Sequence, residues 1–275
     1  MDSHLASAAA RAGRALAQVT PGVSIVVHAA TEWNQSESAL ARCKADIASG
    51  DIVVATMLFM EEHFQPVLGA LAARRDRCDA MVCAMSAGEV MKLTRMGKFS
   101  MDASPSGPMA FLKRLRGKPE AVSDEPGARA TAGAKQMRML RKLPKILRFI
   151  PGTAQDVRAY FLTLQYWLAG SEQNIAAMVR FLVDRYAAGP RLALRSAARP
   201  PQPVEYPEVG VYHPRMQHPR ATGRLADTLA ALPHVATSGK RGTVGLLLMR
   251  SYLLAGNADH YDGVITAMEA RGLRV

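Results

Sequence analysis

The chain has 275 residues, 49% of them hydrophobic, enough to bury the core of one large domain or two small ones. No apolar run approaches the ~20 residues that a membrane span needs, and MDSHLASAAARAGRAL lacks the apolar centre of a signal peptide. These features exclude integral-membrane and secreted classes and predict a cytoplasmic protein, with Cys43, Cys78 and Cys83 as reduced thiols, since no CxxC spacing joins them.

Residues 3–18 carry Leu5, Ala8, Ala9, Ala12 and Leu16 at helical spacing, with Ser3 placed to cap the first turn. Pro21-Gly22 is a turn, and Val23–Ala29 (VSIVVHA) has the β-branched content of a strand. A helix follows over 36–49, with Ser36 as cap and Gly50 as stop. Asp51–Arg74 then holds the clearest signal. Ile52–Ala55 is a short buried run, after which Phe64, Val67, Leu68, Leu71 and Ala72 recur at three and four. Glu61 and Glu62 fall in the first turn of that helix, where carboxylates suit the dipole. Asp79–Met85 (DAMVCAM) is the next strand, and helices at about 87–97 and 106–117 close the unit. The alternation predicts an α/β fold: a mainly parallel sheet with flanking helices, a helical middle segment, and the start of a second α/β domain.

The first domain spans residues 1–118, and the polar stretch 119–133 (PEAVSDEPGARATAG) reads as a linker. A helical segment occupies 134–196, entered through KQMRMLRKLPKILRFI, where Pro144 must interrupt any helix. Two helices fill residues 152–186, separated at Gly170-Ser171 with Ser171 capping the second. Residues 197–208 form a proline-rich connector, and 209–275 the second unit. There Val209–Tyr212 and Thr243–Met249 are predicted strands, and Ala258–Arg271 a helix.

Charge is distributed unevenly. The window 111–150 holds eleven Lys or Arg against three carboxylates, so it carries eight of the twelve net positive charges. Arg138, Arg141, Lys142 and Lys145 alternate there with Met, Leu and Ile, which fits an acidic protein surface or an anionic membrane surface. Within that window Phe149 is the only aromatic after Phe111, which argues against base stacking and so against nucleic acid.

Few constellations suggest chemistry. Glu62 and His63 are the first candidates for a metal, yet adjacent helical residues point in different directions and cannot chelate one ion together. Ser238–Thr243 (SGKRGT) precedes a predicted strand and sets Arg241 after the Lys, so it fails as a phosphate loop. Tyr212 and His213, in YHPRMQHP, and Trp167, beside Tyr160 and Tyr166, are candidates for contact with a flat apolar ligand, although residues of these types are more often loop or core material.

Several long strings carry a resemblance. ATMLFMEEHF, ARRDRCDAMVCAMSAGEVMKLTRMGKF, SGPMAFLKRLRG, PVEYPEVGVYHPRM and GTVGLLLMRSYLLAGNADHYDGVITAMEARGLRV resemble the N-terminal region of the large H subunits of the magnesium and cobalt chelatase family, most closely the magnesium type. The resemblance implies a role in inserting Mg2+ into protoporphyrin IX on the way to chlorophyll or bacteriochlorophyll. It also implies ATP hydrolysis by two motor-type partner subunits; peripheral membrane contact is expected from the basic window instead, and the lack of a nucleotide loop or metal-ligand spacing leads to the expectation that this segment itself holds no cofactor. Members of that family carry an apolar strand immediately ahead of DSHLA and a long body beyond GLRV. The chain therefore reads as a fragment that is not catalytic by itself, with a short and unstable sheet, or else as a scaffold or regulatory module that binds a partner protein or membrane surface.

Overall fold

Two five-residue runs, IVVAT and AMVCA, decide the architecture. The structure, a computed structural model, describes residues 4–33, 36–102, 144, 146–233 and 241–275. In it β1 (Ile52–Thr56) pairs in parallel with β2 (Ala80–Ala84), from Ile52 opposite Ala80 to Thr56 opposite Ala84. Side chains alternate between the two faces, and both faces are covered. Ile52, Val54, Ala80, Val82 and Ala84 pack under α1 (His4–Val19), α5 (Thr153–Ala169) and α6 (Glu172–Tyr186). Val53, Ala55, Met81 and Cys83 pack under α2 (Glu37–Ser49) and α3 (Glu61–Arg74). A strand covered on both sides gains nothing from polar residues at alternate positions, which is why these runs are continuously apolar.

The element ends follow local chemistry. Ser36 Oγ accepts from the Ala39 amide and Ser171 Oγ from the Asn174 amide, each satisfying a donor that the first helical turn leaves open. Gly170 closes α5 in the left-handed conformation at φ +57°, which a side chain would resist. Of the stripe predicted for α3, Phe64, Val67 and Leu71 are buried, Leu68 is half-buried and Ala72 is exposed.

Three predicted elements take another form. Val23–Ala29 is extended but joins no ladder, although Ile25 and Val27 pack on the first core. The helix predicted over 87–97 ends after one turn, α4 (Gly88–Met91). The chain then makes a hairpin of β3 (Arg95–Met96) and β4 (Phe99–Ser100), antiparallel to each other and, through β3, to β2. Thr94 Oγ1 donates to the Cys83 carbonyl and accepts from the Cys83 amide, which draws the backbone off the helical path. Gly97, at φ +58°, makes the turn, and a Cβ there would lie 2.6 Å from Asp156 Oδ2. Thr243–Met249 is likewise no strand; only a bridge from Thr243 to Arg274 forms, and Leu247 stands fully in solvent. A β-branched or apolar run makes a strand only beside a partner; among the described residues Val23–Ala29 pairs with none, and Thr243–Met249 has only the bridge to Arg274. The helix predicted over 106–117, the linker and most of the basic stretch lie outside the described residues, as does Ser3.

The remaining chain docks on this frame. Tyr166 donates to the Pro201 carbonyl at 2.6 Å, and Asn174 exchanges two hydrogen bonds with Val204, so the proline-rich connector is pinned along α5 and α6. Beyond it, β5 (Val211–Tyr212) pairs antiparallel with β6 (Leu225–Ala226). The short α7 (Arg250–Leu254) and α8 (Asp259–Ala270) follow. Among the described residues no helix is long and apolar enough to cross a membrane.

At the amino edge of the sheet, Asp79 accepts from Arg191 Nε at 2.8 Å, Arg191 Nη2 at 2.9 Å and the Ala188 amide at 3.0 Å. The Arg191 hydrogen bonds hold its carboxyl below the usual carboxylate range. A group with a depressed folded pKa stabilises above its unfolded pKa, and that stability is lost as pH falls through the folded value. Asp79→Asn is therefore expected to melt below the parent at pH 7, with the gap narrowing below about pH 4. Paired thermal melts across that range check it.

Candidate functional site

Open α/β sheets bind ligands at the carboxyl ends of their strands, and here that edge is shaped by unusual backbone. Met57, directly after β1, and Met85, directly after β2, both adopt left-handed conformations, at φ +60° and +46°. Such a conformation costs an unbranched residue about 1–2 kcal/mol. It is held by three hydrogen bonds: Met57 N–H to the Met85 carbonyl at 2.9 Å, Leu58 N–H to Ser86 Oγ at 3.1 Å, and Ala87 N–H to the Leu58 carbonyl at 2.8 Å. The chain thereby leaves the sheet with Met57, Phe59 and Met60 exposed at 40%, 55% and 54%. Beside them a cavity of about 200 Å³ is lined by Leu5, Met57, Met85, Trp167, Leu168 and Arg250, among others.

Trp167 thus lies at the carboxyl edge, as a wall rather than a free face, being 8% exposed. Glu62 and His63 open α3 at the same edge, Glu62 exposed and His63 half-buried. No three His, Cys, Asp or Glu side chains converge on a metal position among the described residues. A second cavity, about 530 Å³, lies along the outer side of β1 and is also lined by Trp167.

Tyr212 and His213 sit elsewhere, on β5 and just after it, against α8. Tyr212 donates to Asp262 at 2.5 Å, and Arg224 meets the other oxygen of that carboxylate at 2.7 Å. Burial first, and then the hydrogen bond to Asp262, push the Tyr212 hydroxyl well above the ordinary phenol range. His213 is 2% exposed, with Nε2 at 3.1 Å from Glu269 and Nδ1 accepting from the Arg215 amide. Arg215 reaches the second oxygen of Glu269 at 2.5 Å. Asp262 and Glu269 are seven residues apart, two turns on one helical face, so α8 grips the β5 segment through two parallel carboxylate clamps. Neither cavity is lined by Tyr212 or His213. Arg138, Arg141, Lys142 and Lys145 lie outside the described residues.

The two left-handed methionines escape a reading of the sequence, because no residue-type signal marks them. Asp262 and Glu269 escape it too, although their spacing on one helical face is readable. The thiols offer no nucleophile. Burial raises Cys78, pushes Cys43 up to about 11 and pushes Cys83 up to about 12, so all three stay protonated near neutral pH.

Comparison with known proteins adds two family models and several relatives. Residues 1–161 match a domain of unknown function, DUF3479, and residues 164–275 match CobN/Magnesium Chelatase. The magnesium-chelatase H subunit of Cereibacter sphaeroides is 46% identical over 275 residues, covering 100% of this chain and 22% of that protein. That of Rhodobacter capsulatus is 46% identical over 276 residues, with the same coverage. The chloroplastic magnesium-chelatase ChlH of Oryza sativa subsp. indica is 29% identical, covering 92% of this chain and 18% of its own length. The chain thus spans about a fifth of the length of the curated relatives it matches.

Two outcomes follow from this geometry. Glu269→Ala leaves His213 buried without its carboxylate and is expected to cost about 1–3 kcal/mol, read as a lower denaturant midpoint. A thiol reagent at pH 8 should find none of the three cysteines quickly in the native protein and all three in denaturant.

Proposed function

Because this chain belongs to the magnesium-chelatase H-subunit family, we propose that it is the N-terminal part of the large chelatase component that holds protoporphyrin IX while Mg2+ is inserted. The identity of 46% along the entire chain carries this reading. Insertion requires removing two pyrrole protons and stripping water from Mg2+, an ion that dehydrates reluctantly. Side chains for that work must be unengaged and close together. Here Tyr212 is held protonated by its burial and its carboxylate partner, His213 is enclosed between Glu269 and its own turn, and Glu62 is exposed.

The segment therefore serves as a scaffold rather than as the catalytic centre. Mg2+ and protoporphyrin IX are substrates handled by the larger body, and ATP is hydrolysed on two motor-type partner subunits. The basic window with Arg138, Arg141, Lys142 and Lys145 is the docking element toward an acidic partner surface, with peripheral contact to an anionic membrane as its second use. The carboxyl-edge cavity, about 200 Å³, falls below the 300–1,000 Å³ typical of ligand sites and is too small to enclose a porphyrin.

The test mixes this chain with both motor-type subunits, ATP, Mg2+ and protoporphyrin IX. No Mg-porphyrin fluorescence above a blank without the chain is expected, and porphyrin quenching should not saturate at submicromolar concentration. Product above the blank, or tight saturable binding, would place catalytic or porphyrin-binding groups in this segment and overturn the scaffold reading.

A further inference from the structure

Met57, Phe59 and Met60 stand exposed together at the carboxyl edge of the sheet. Large apolar side chains that cluster in solvent, unlike scattered ones, mark contact with another molecule. The backbone holds this cluster in place. Left-handed Met57 and Met85, with the hydrogen bonds that join the loops after β1 and β2, fix it on the parallel pair, so that little entropy is left to lose on contact.

Met57 is also a wall of the cavity of about 200 Å³, together with Met85, Trp167 and Leu254. Arg250, the only charged residue of that lining, turns to the Pro207 carbonyl at 2.7 Å and the Tyr206 carbonyl at 3.3 Å. Apolar cavities of about 150 Å³ admit a benzene ring, so this one has room for a single leucine or phenylalanine side chain. That is the size of an anchor pocket, the place where one large side chain concentrates the energy of a protein interface. Thioether walls adapt to the shape of such an anchor.

Charge indicates what the anchor belongs to. Met60 leads directly into Glu61 and Glu62, and Ala87, whose amide donates to the Leu58 carbonyl at 2.8 Å, leads into Gly88 and Glu89. All three carboxylates are exposed, and among the described residues none is ion-paired. Within a chain of net charge +12, this edge is locally acidic.

We propose that the carboxyl edge is a docking site for a basic, apolar-anchored segment of a partner protein. One leucine or phenylalanine side chain enters the cavity, further apolar side chains cover Phe59 and Met60, and Lys or Arg side chains lie beside Glu61, Glu62 and Glu89. An amphipathic helix with a basic outer face meets both requirements. An anionic membrane meets only the apolar one and is repelled by the carboxylates. This surface is separate from the basic window and takes a partner of opposite sign, so the inference is independent of the chelatase reading.

The experiment titrates the chain with an amphipathic Leu-Lys peptide of about fourteen residues, roughly four helical turns, and with its Leu-Glu counterpart. The Leu-Lys peptide is expected to bind saturably and to shift tryptophan emission, since Trp167 lines the cavity; the Leu-Glu peptide is not. Phe59→Ser combined with Met60→Ser should weaken binding by about tenfold or more. Glu61→Gln, Glu62→Gln and Glu89→Gln together should weaken it about tenfold at low salt and less at high salt. All five positions are exposed, so both variants should keep the parent's thermal midpoint. Equal binding of the two peptides, or equal binding by the parent and either variant, would overturn the proposal. So would binding that appears only after Lys113, Arg114 and Arg116 are changed to Ser, because a basic segment of the chain itself would then be the occupant. Adsorption to phosphatidylserine vesicles that is lost with Phe59→Ser and Met60→Ser, without any peptide binding, would make a lipid surface the occupant and overturn it too.

Discussion

The parallel pairing of β1 with β2 is the constraint on which the rest depends. A parallel pair cannot be closed by a tight turn, so α3 must cross between its strands, and the crossover helix and its neighbours bury one face. The other face is then too apolar to leave wet, and α1, α5 and α6 cover it from well before and well after the pair in sequence. Helices distant from one another along the chain are thus assembled by ten strand residues. Tyr160, whose hydroxyl donates to the Cys83 carbonyl at 3.3 Å, ties α5 to β2 directly.

Polar groups in this assembly are spent on holding elements in place. Asp156 binds the Lys98 amide at 3.0 Å, Arg185 at 2.7 Å and Tyr186 at 3.0 Å, joining the β3–β4 hairpin to α5 and α6. Asp79 does the same for the 189–194 turn, and Asp262 and Glu269 for β5. Each of these carboxylates has its oxygens engaged by cations, amides or a phenol, so that it ties one element to another.

Helices were legible because their information is local. Ser36, Gly50, Gly170 and Ser171 set boundaries through bonds within four residues, and the stripe Leu5, Ala8, Ala9, Ala12, Leu16 is buried throughout. Strands were legible only where a partner existed. Val23–Ala29 and Thr243–Met249 have strand composition, but pairing is a property of two segments, and the composition of one cannot reveal it. The site was the least legible part. Tyr212 and His213 look like ligand contacts by type, yet they are committed to α8 by carboxylates about fifty residues away in sequence. Left-handed Met57 and Met85 have no signature at all, since their conformation is imposed by the sheet edge.

The distribution of charge completes the picture of how such a segment engages its surroundings. Across the described residues several arginines are paired with carboxylates: Arg11 with Glu172, Arg75 with Asp102, Arg180 with Asp184, Arg185 with Asp156, Arg215 with Glu269 and Arg224 with Asp262. Paired charges a few ångströms apart present little field beyond a Debye length of about 8–10 Å. The window 111–150 carries eight of the twelve net positive charges, the remaining four being spread over the rest of the chain. Any field that reaches past a Debye length is therefore weighted toward that window and weakens with salt, while the ion pairs of the folded frame contribute to position.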